Sequence, residues 1–229
     1  MSIELTKTDF NAITRNDSNY INNKGAKYYT DGQYDKAVEY YRIAAAMGNV
    51  QAINNLGYCY LYGRSIEVNV SEAIAMFTIA SARGNADAAY KLGDMYSRDK
   101  WGLRDPELSV YYYRMAASYI IDDEWEGRKS LVWESELQRY PSLCFALARE
   151  LSPDGQMATN IEVSYQFLKH AELGYQKELE NGAGFYRDVY ANAMEMMKAP
   201  YYDLVREEYD RAFYKEYSDF GEDTEEDEW

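Results

Sequence analysis

The stretch VQAINNLGYCYLYGRSIEVNVSEAIAMFTIASARGN, residues 50–85, decides the fold of this chain. Its alternation of apolar and polar residues predicts two amphipathic helices joined by a turn. Much of it recurs at a shift of 36 residues, so that Gly48-Asn49 falls on Gly84-Asn85 and Leu56-Gly57 falls on Leu92-Gly93. A fixed period of this size, with small and aromatic residues in register, indicates a stacked helical repeat.

Two columns of residues extend the register into the neighbouring units. One column is aromatic and the other is small, and they hold Tyr41, Phe77 and Tyr113, and Ala44, Ala80 and Ala116. A pair of helices cannot bury its apolar face alone, so each unit must pack on the next one. We therefore expect the small residues to let helices approach closely and the rings to fill the space beside them.

The residues of the first unit resemble a tetratricopeptide repeat. The pattern of small and large positions is carried by Gly25, Tyr28, Gly32, Tyr34, Ala37, Tyr41 and Ala44. From Gly57 onward the sequence is more similar to the Sel1-like repeat, a relative with a longer loop between its two helices. The spacing from Gly25 to Ala37 is 12 residues, whereas the spacing from Gly57 to Ala73 is 16, and the extra residues fall in 63–70.

The second and third units carry the Sel1-like pattern most fully. In the second unit it comprises Ala52, Leu56, Gly57, Tyr60, Gly63, Ala73, Phe77, Ala80 and Gly84. The third unit, residues 86–118, departs at two places: Ser109 stands at the position of Ala73, and Ile120 stands at that of the terminal glycine.

The resemblance implies an all-α fold, a right-handed α-α superhelix of antiparallel helix pairs with extra C-terminal capping helices. Residues 1–18 are expected to form a leader containing a short strand or turn, followed by three repeats over 19–120. Residues 121–174 are expected to hold an inserted helix over 125–139 and a degenerate fourth repeat. Capping helices over 175–220 and an acidic tail over 221–229 would complete the chain.

The fourth repeat is predicted from weaker signals than the first three. Its second helix is expected over 161–173, because Phe167, Ala171 and Gly174 echo Tyr41, Ala45 and Gly48. A new helix would then begin at residue 175 and break at the sequence Asn-Gly-Ala-Gly of residues 181–184.

The charge of the chain is distributed unevenly. Residues 1–120 contain 13 Lys and Arg against 13 Asp and Glu, whereas residues 121–229 contain 11 against 26 and so carry the whole net charge of −15. This balance disfavours nucleic acid as a direct partner, because phosphate contacts need a basic surface. A basic protein partner, or solubility alone, fits it better.

Several features of the sequence favour a cytoplasmic location. No run of 18 or more apolar residues is present to cross a membrane, and the N-terminal residues lack the apolar run of a secretory signal. Cys59 and Cys144 both stand among apolar or aromatic residues. Buried free thiols in a reducing compartment are the favoured interpretation, and a disulfide between them is the alternative.

The sequence offers no recognisable catalytic or metal-binding constellation. His170 is the single histidine and is predicted to be structural. A calcium loop that would begin at Asp122 fails because Trp133 stands at its twelfth position. Gly182-Ala183-Gly184 follows no predicted strand, so it indicates a helix break rather than a dinucleotide loop. We therefore expect no enzyme activity, no cofactor and no metal.

The resemblance implies that the first helix of each unit lines a concave groove that binds a partner. The candidate groove residues are Asn22, Asn23, Tyr29, Asn54, Asn55, Tyr58, Tyr90, Lys91 and Asp94. A carboxamide both donates and accepts hydrogen bonds, so repeated asparagines could hold the backbone of an extended peptide, with tyrosines adding contact area. The alternative is that these are ordinary polar residues on exposed helix faces.

The leading hypothesis is a non-enzymatic adaptor that binds a protein or peptide in this groove, as Sel1-like proteins generally do. A second hypothesis is an acidic inhibitor or immunity protein that blocks a basic site through its C-terminal half. A third is a regulatory subunit of an enzyme whose catalytic chain is separate. The sequence leaves the identity of the partner and the oligomeric state open.

Overall fold

The computed structural model describes residues 3–122, 125, 130–131 and 134–219, with the backbone alone for residues 214–219. Helices form the regular structure of these residues, and strands are absent from them. The chain divides into two compact units, Met1–Ala116 and Ala117–Trp229. The prediction of an all-α fold built from helix pairs is confirmed.

The first unit contains three helix pairs preceded by one further helix. In chain order the helices are α1 (Lys7–Thr14), α2 (Ser18–Thr30), α3 (Tyr34–Ala46), α4 (Val50–Tyr62), α5 (Val70–Ser81), α6 (Ala86–Ser97) and α7 (Pro106–Ser118). The last two residues of α7 belong to the second unit. The pairs are α2 with α3, α4 with α5, and α6 with α7, and a short 3-10 helix, Asp99–Trp101, lies inside the third pair.

A glycine on the first helix of each pair lies against an aromatic ring on the second. A methyl group built on the glycine would come within 2.8 Å of the ring in the first pair and 2.6 Å in the other two. These glycine–ring pairs are Gly25 with Tyr41, Gly57 with Phe77, and Gly93 with Tyr113. All three rings are buried. The predicted aromatic column is confirmed, because its members occupy equivalent places in successive pairs.

Two asparagines cap a helix and also join consecutive pairs. Asn49 accepts a hydrogen bond from the Ala52 backbone N–H at 2.9 Å, and its side-chain nitrogen donates to Asn19 of the preceding pair at 2.9 Å. Asn85 likewise accepts from the Ala88 N–H at 2.8 Å and donates to Gln51 at 3.0 Å. Each cap therefore satisfies its own helix terminus and fixes the position of the next unit.

The glycines before these caps end the preceding second helices. Gly48 and Gly84 have φ values of 88° and 86°, a region that side chains disfavour. They close the turns between successive pairs, as the sequence predicts.

The expected strand in residues 1–18 is wrong, because Lys7–Thr14 form α1, and a turn follows this helix at residues 15–16. Thr6 and Asp9 form a capping box at its start: Asp9 N–H donates to the Thr6 hydroxyl, and the Thr6 N–H donates back to the carboxylate at 2.7 Å. Asp9 is fully buried and binds Lys24 Nζ at 2.7 Å and the Tyr40 hydroxyl at 3.0 Å. In this way α1 covers the free side of the first pair.

The charge of Asp9 is stabilised by its neighbours. Burial alone raises the pKa of this carboxyl, but hydrogen bonds from Lys24, Thr6 and Tyr40 outweigh it and lower the pKa from 3.8 to about 2. Lys24 stands at the position that Leu56 and Leu92 occupy in the next two pairs. The first pair thus exchanges an apolar contact for an ion pair with its capping helix.

The second unit contains four α-helices in its described residues: α8 (Pro141–Leu151), α9 (Ile161–Glu180), α10 (Arg187–Met197) and α11 (Asp203–Asp219). Short 3-10 helices cover Ser135–Arg139, Gly184–Tyr186 and Pro200–Tyr202. The predicted break at residues 181–184 is found at the end of α9, where Gly182 has a φ of 89°. The acidic tail over 221–229 lies outside the described residues.

The predicted helix over 125–139 is wrong in its described part. Trp125 has 3-10 geometry, Ser130, Leu131 and Glu134 are not helical, and a 3-10 helix covers Ser135–Arg139. Leu131 is held instead on both sides by α9: its N–H donates to the Gln166 side chain, and its carbonyl oxygen lies 2.7 Å from His170 Nε2. Side chains on α9 replace the hydrogen bonds that a helix would supply.

The predicted end of a helix at residue 173 is also wrong, because α9 runs without interruption through Gly174. This glycine permits a close approach instead of ending the helix. A methyl group there would overlap the Gln138 carbonyl oxygen and would lie 3.0 Å from Pro141 Cβ.

One hydrogen bond recurs in the pair α8–α9. The Ser109 hydroxyl donates to the Gly93 carbonyl at 3.0 Å, and the Ser164 hydroxyl donates to the Ala148 carbonyl at 2.6 Å. Both bonds span 16 residues. This register places Leu168, rather than Phe167, at the position of Tyr113. The match supports a degenerate fourth repeat, which stays a prediction.

Candidate partner-binding face

The first helices of the three pairs present equivalent rows of residues. Each row is counted from the glycine that lies against the ring, which is Gly25, Gly57 or Gly93. It holds the residues six and two places before this glycine and one and five places after it, a spacing that puts them on one side of a helix. The rows are Asn19, Asn23, Ala26 and Thr30 on α2; Gln51, Asn55, Tyr58 and Tyr62 on α4; and Asp87, Lys91, Asp94 and Arg98 on α6 and the residue after it. We call these three rows together the first-helix face.

The rows on α2 and α4 contain no charged residue, and α4 has none along its whole length. Asn19, Asn23 and Gln51 are exposed, and Asn55 is half-buried. Exposed helix surfaces ordinarily carry Lys, Glu, Arg or Asp. The composition of these two rows is therefore unusual for a surface that only faces water.

Carboxamides link the first helices to one another. Asn55 Nδ2 donates to Asn22 Oδ1 at 3.1 Å, Gln51 Nε2 donates to Asn55 Oδ1 at 3.3 Å, and Asn85 Nδ2 donates to Gln51 Oε1 at 3.0 Å. The bonds form a chain of amides from α2 to the start of α6. Gln51 is exposed and Asn55 is half-buried, so their side-chain amides lie within reach of polar groups from solvent or a partner.

Two tyrosines continue the row on α4. The rings of Tyr58 and Tyr62 are nearly parallel, with centroids 6.1 Å apart. Tyr58 also packs edge-on against Phe77 at 5.1 Å, so the glycine–ring column beneath fixes its position. Tyr62 is 45% exposed and offers its ring to solvent.

The row on α6 is charged and internally paired. Asp94 lies 3.3 Å from Lys91 Nζ and 2.9 Å from an Arg98 guanidinium nitrogen. Lys91 and Asp94 are both buried, and the Lys91 ammonium lies 5.7 Å from the centroid of the Tyr58 ring. The charges of this row stabilise one another.

The structure places five of the predicted groove residues in these rows: Asn23, Asn55, Tyr58, Lys91 and Asp94. Asn22 and Asn54 each precede a row residue by one position, so they lie on a neighbouring side of the helix. Both are buried, with 7% and 1% exposure. Tyr90 is half-buried with its ring 6.0 Å from that of Tyr113. Tyr29 lies at the end of α2, edge-on to Tyr34 at 5.1 Å, and away from the row.

Seven of the twelve residues of the face are absent from the sequence-based set: Asn19, Ala26, Thr30, Gln51, Tyr62, Asp87 and Arg98. The available signal was the spacing of four, three and four residues along α4, which is occupied throughout by uncharged polar or aromatic side chains.

The histidine and both cysteines of the chain are buried. Burial lowers the pKa of His170 to about 4, and burial raises the pKa of Cys59 to about 11 and that of Cys144 further. Both cysteines are buried free thiols, as predicted. Among the described residues, no group of three or more His, Cys, Asp and Glu side chains could hold a metal ion. None of the described helices is long and apolar enough to span a bilayer.

Comparison with known proteins agrees with the repeat register. A family model of the Sel1 repeat matches three times in succession, at residues 18–49, 50–85 and 86–118. A search of curated proteins found no match.

Two solved structures are similar in fold. One is a Sel1 repeat protein from Oxalobacter formigenes, at 18% identity and a TM-score of 0.44, over 70% of this chain and 76% of that one. The other is c5321, described as a protective antigen of uropathogenic Escherichia coli strains with an SLR fold, at 20% identity and a TM-score of 0.46, over 76% of this chain and 43% of that one.

The three family matches coincide with the pairs α2–α3, α4–α5 and α6–α7, in which a glycine on one helix meets a ring on the other. Residues 18–118 therefore consist of three successive Sel1 repeats, and these repeats assign this part of the chain to the Sel1 repeat family.

Proposed function

We propose that this chain is a non-enzymatic cytoplasmic adaptor that binds a protein or an extended peptide on its first-helix face. Sel1 repeats are generally modules of protein–protein interaction, and they are typically scaffolds rather than enzymes. The family assignment supplies the general class of function. The particular surface is argued from the residues that face solvent.

The observation that carries the proposal is the row Gln51, Asn55, Tyr58 and Tyr62 on α4. Carboxamides donate and accept at once, so they can pair with the N–H and C=O groups of a peptide backbone. Tyrosine rings supply a large contact area and lose little conformational entropy, because they have two side-chain torsions. Recognition surfaces of proteins are enriched in these residue types.

The proposal is tested by affinity capture from native lysate with the full chain as bait. The variant Asn55→Ala/Tyr58→Ala removes one amide and one ring from the face. A matched control, Glu72→Ala/Thr78→Ala, alters two exposed residues on α5, the second helix of the same repeat. Circular dichroism melts establish that each variant remains folded.

We expect the proteins captured by the wild-type chain to be retained by the α5 control and lost from the α4 variant. Retention of every partner by a folded α4 variant would show that the first-helix face does not bind them. Loss from both variants equally would indicate a general effect on the stability of the repeat.

The acidic inhibitor is the second candidate function, because residues 121–229 carry the whole net charge of −15. Binding through such a surface would depend strongly on ionic strength, since salt screens attraction between exposed charges. A salt titration of the affinity of any captured partner distinguishes this function from recognition by the uncharged rows.

A further inference from the structure

We infer that the first-helix face binds an uncharged, extended polypeptide segment, which lies across the rows of α2 and α4 and stops at the charged row of α6. This inference rests on the proposed function and adds the chemistry of the ligand. It is argued from the charge, the hydrogen bonding and the burial of the three rows.

The distribution of charge selects the ligand. The α2 and α4 rows contain amides, a threonine, an alanine and two tyrosines, without a charged side chain. A charged ligand residue placed here would lose hydration without gaining a partner of opposite charge. An uncharged segment loses no charge hydration on binding, so the two rows favour it over an acidic or a basic segment.

The amide bonds among the rows indicate how a backbone would be held. Gln51 to Asn55 and Asn55 to Asn22 are side-chain amide bonds at 3.3 Å and 3.1 Å. A peptide group has the same donor and acceptor as a carboxamide and can replace either partner. An extended segment crossing from α2 to α4 would therefore exchange amide–amide bonds for equivalent ones.

The α6 row sets the limit of the segment. Lys91 and Arg98 are already paired with Asp94, and both Lys91 and Asp94 are buried. At the buried part of this row a ligand carboxylate would have to displace Asp94 from Lys91, and a ligand cation would meet Lys91 and Arg98. Neither exchange is favourable, because a broken buried pair leaves an uncompensated charge.

The experiment selects peptides from a phage-displayed library of random 15-residue sequences on the immobilised full chain. Individual synthetic peptides are then titrated by calorimetry at 50 and 500 mM NaCl. Three variants are compared with the wild type: Tyr62→Ala removes an exposed ring, Gln51→Lys places a charge in the α4 row, and Thr78→Lys places the same charge on α5 as a control.

We expect the selected peptides to share a core free of Asp, Glu, Lys and Arg, with affinity that changes by less than about twofold between the two salt concentrations. Tyr62→Ala and Gln51→Lys should each weaken binding by about tenfold, as loss of a central contact does, whereas Thr78→Lys should not.

The contrary outcomes separate this inference from the proposed function. Selection of no peptide at all would overturn this inference, whereas the proposed function would still be decided by the capture of protein partners with the α4 variant and its α5 control. Selection of peptides rich in Lys and Arg, with affinity that falls about tenfold or more in high salt, would overturn the inference and leave peptide binding in place. Uncharged peptides that bind Tyr62→Ala and Gln51→Lys as tightly as wild type would overturn the choice of face.

Discussion

The substitution Gly57→Ala examines the packing on which the repeat architecture depends. At an open position inside a helix, alanine is more favourable than glycine by about 1 kcal/mol. Gly57 lies inside α4 and its φ is not positive, so its backbone conformation tolerates a side chain. The added methyl group would nevertheless lie 2.6, 2.8 and 3.0 Å from three carbon atoms of the Phe77 ring.

Carbon atoms pack favourably at about 3.5–4.0 Å, so the methyl group overlaps the ring at three atoms. Phe77 has 0% exposure, so its ring cannot relieve the overlap by moving into solvent. Overpacking of a buried site costs roughly 1–3 kcal/mol, which exceeds the gain in helix propensity. The two terms leave a net destabilisation of about 0–2 kcal/mol, and we expect a value near 1 kcal/mol, which corresponds to a fall in Tm of roughly 2–4 °C for a chain of this size.

Circular dichroism melts measure the effect, with a double-mutant cycle as the decisive comparison. Phe77→Leu in the Gly57→Ala background should restore part of the loss, giving a favourable coupling of about 1 kcal/mol between the two sites. Gly184→Ala is the control, because that position has no close neighbour and should be neutral or stabilising. An increase in Tm for Gly57→Ala, as at an open helix position, would refute the glycine–ring contact.

Three further predictions concern other contacts. Because folding lowers the pKa of Asp9 from 3.8 to about 2, its charge should add about 2 kcal/mol to the free energy of unfolding above pH 4, and this contribution should be lost as the pH falls towards 2. The Tm difference between the wild type and Asp9→Asn should therefore narrow between pH 4 and pH 2, and a constant difference would contradict the prediction. Asn49→Ala removes a helix cap and a hydrogen bond between repeats, so denaturant unfolding should show that the free energy of unfolding falls by about 1.5–2 kcal/mol. The control Asn69→Ala removes a cap alone and should lower it by about 1 kcal/mol. Equal losses in the two variants would show that Asn49 does not join the repeats. Gly174→Ala should lower stability by roughly 1–3 kcal/mol in the same assay, because its methyl group would meet a carbonyl oxygen, and an unchanged stability would argue against that close approach.

The repeated part of the fold could be predicted because each of its packing contacts depends on two residues that recur at a fixed spacing in the sequence. Gly57 and Phe77 recur as Gly93 and Tyr113, and each pair corresponds to one contact in the structure. The cap at Asn85 and the turn at Gly84 are likewise local signals with one structural solution.

The parts that sequence analysis missed depend on contacts with distant residues. α1 could have been found, because Thr6 and Asp9 have the spacing of a capping box, but the contacts that hold it against the first pair, such as the ion pair with Lys24, are with residues distant in sequence. The segment around Leu131 takes its shape from Gln166 and His170, which follow 35 and 39 residues later. Periodicity within a segment cannot reveal such a partner.

The candidate face was predicted in its helices and only partly in its residues. The resemblance pointed to the first helix of each repeat and so to Asn55 and Tyr58. It also included Asn22 and Asn54, whose positions are rotated by one residue into the packed interior. A rotation of about 100° per residue separates a buried from an exposed side chain, and a pattern of adjacent asparagines does not resolve it.

The most direct test of the binding face is hydrogen exchange of the full chain with and without a saturating partner, either a captured protein or a selected peptide. The account predicts slower amide exchange in α2 and α4, with α10 and α11 unchanged. Protection confined to α10 and α11, with α2 and α4 unaffected, would contradict it and assign binding to the acidic half of the chain.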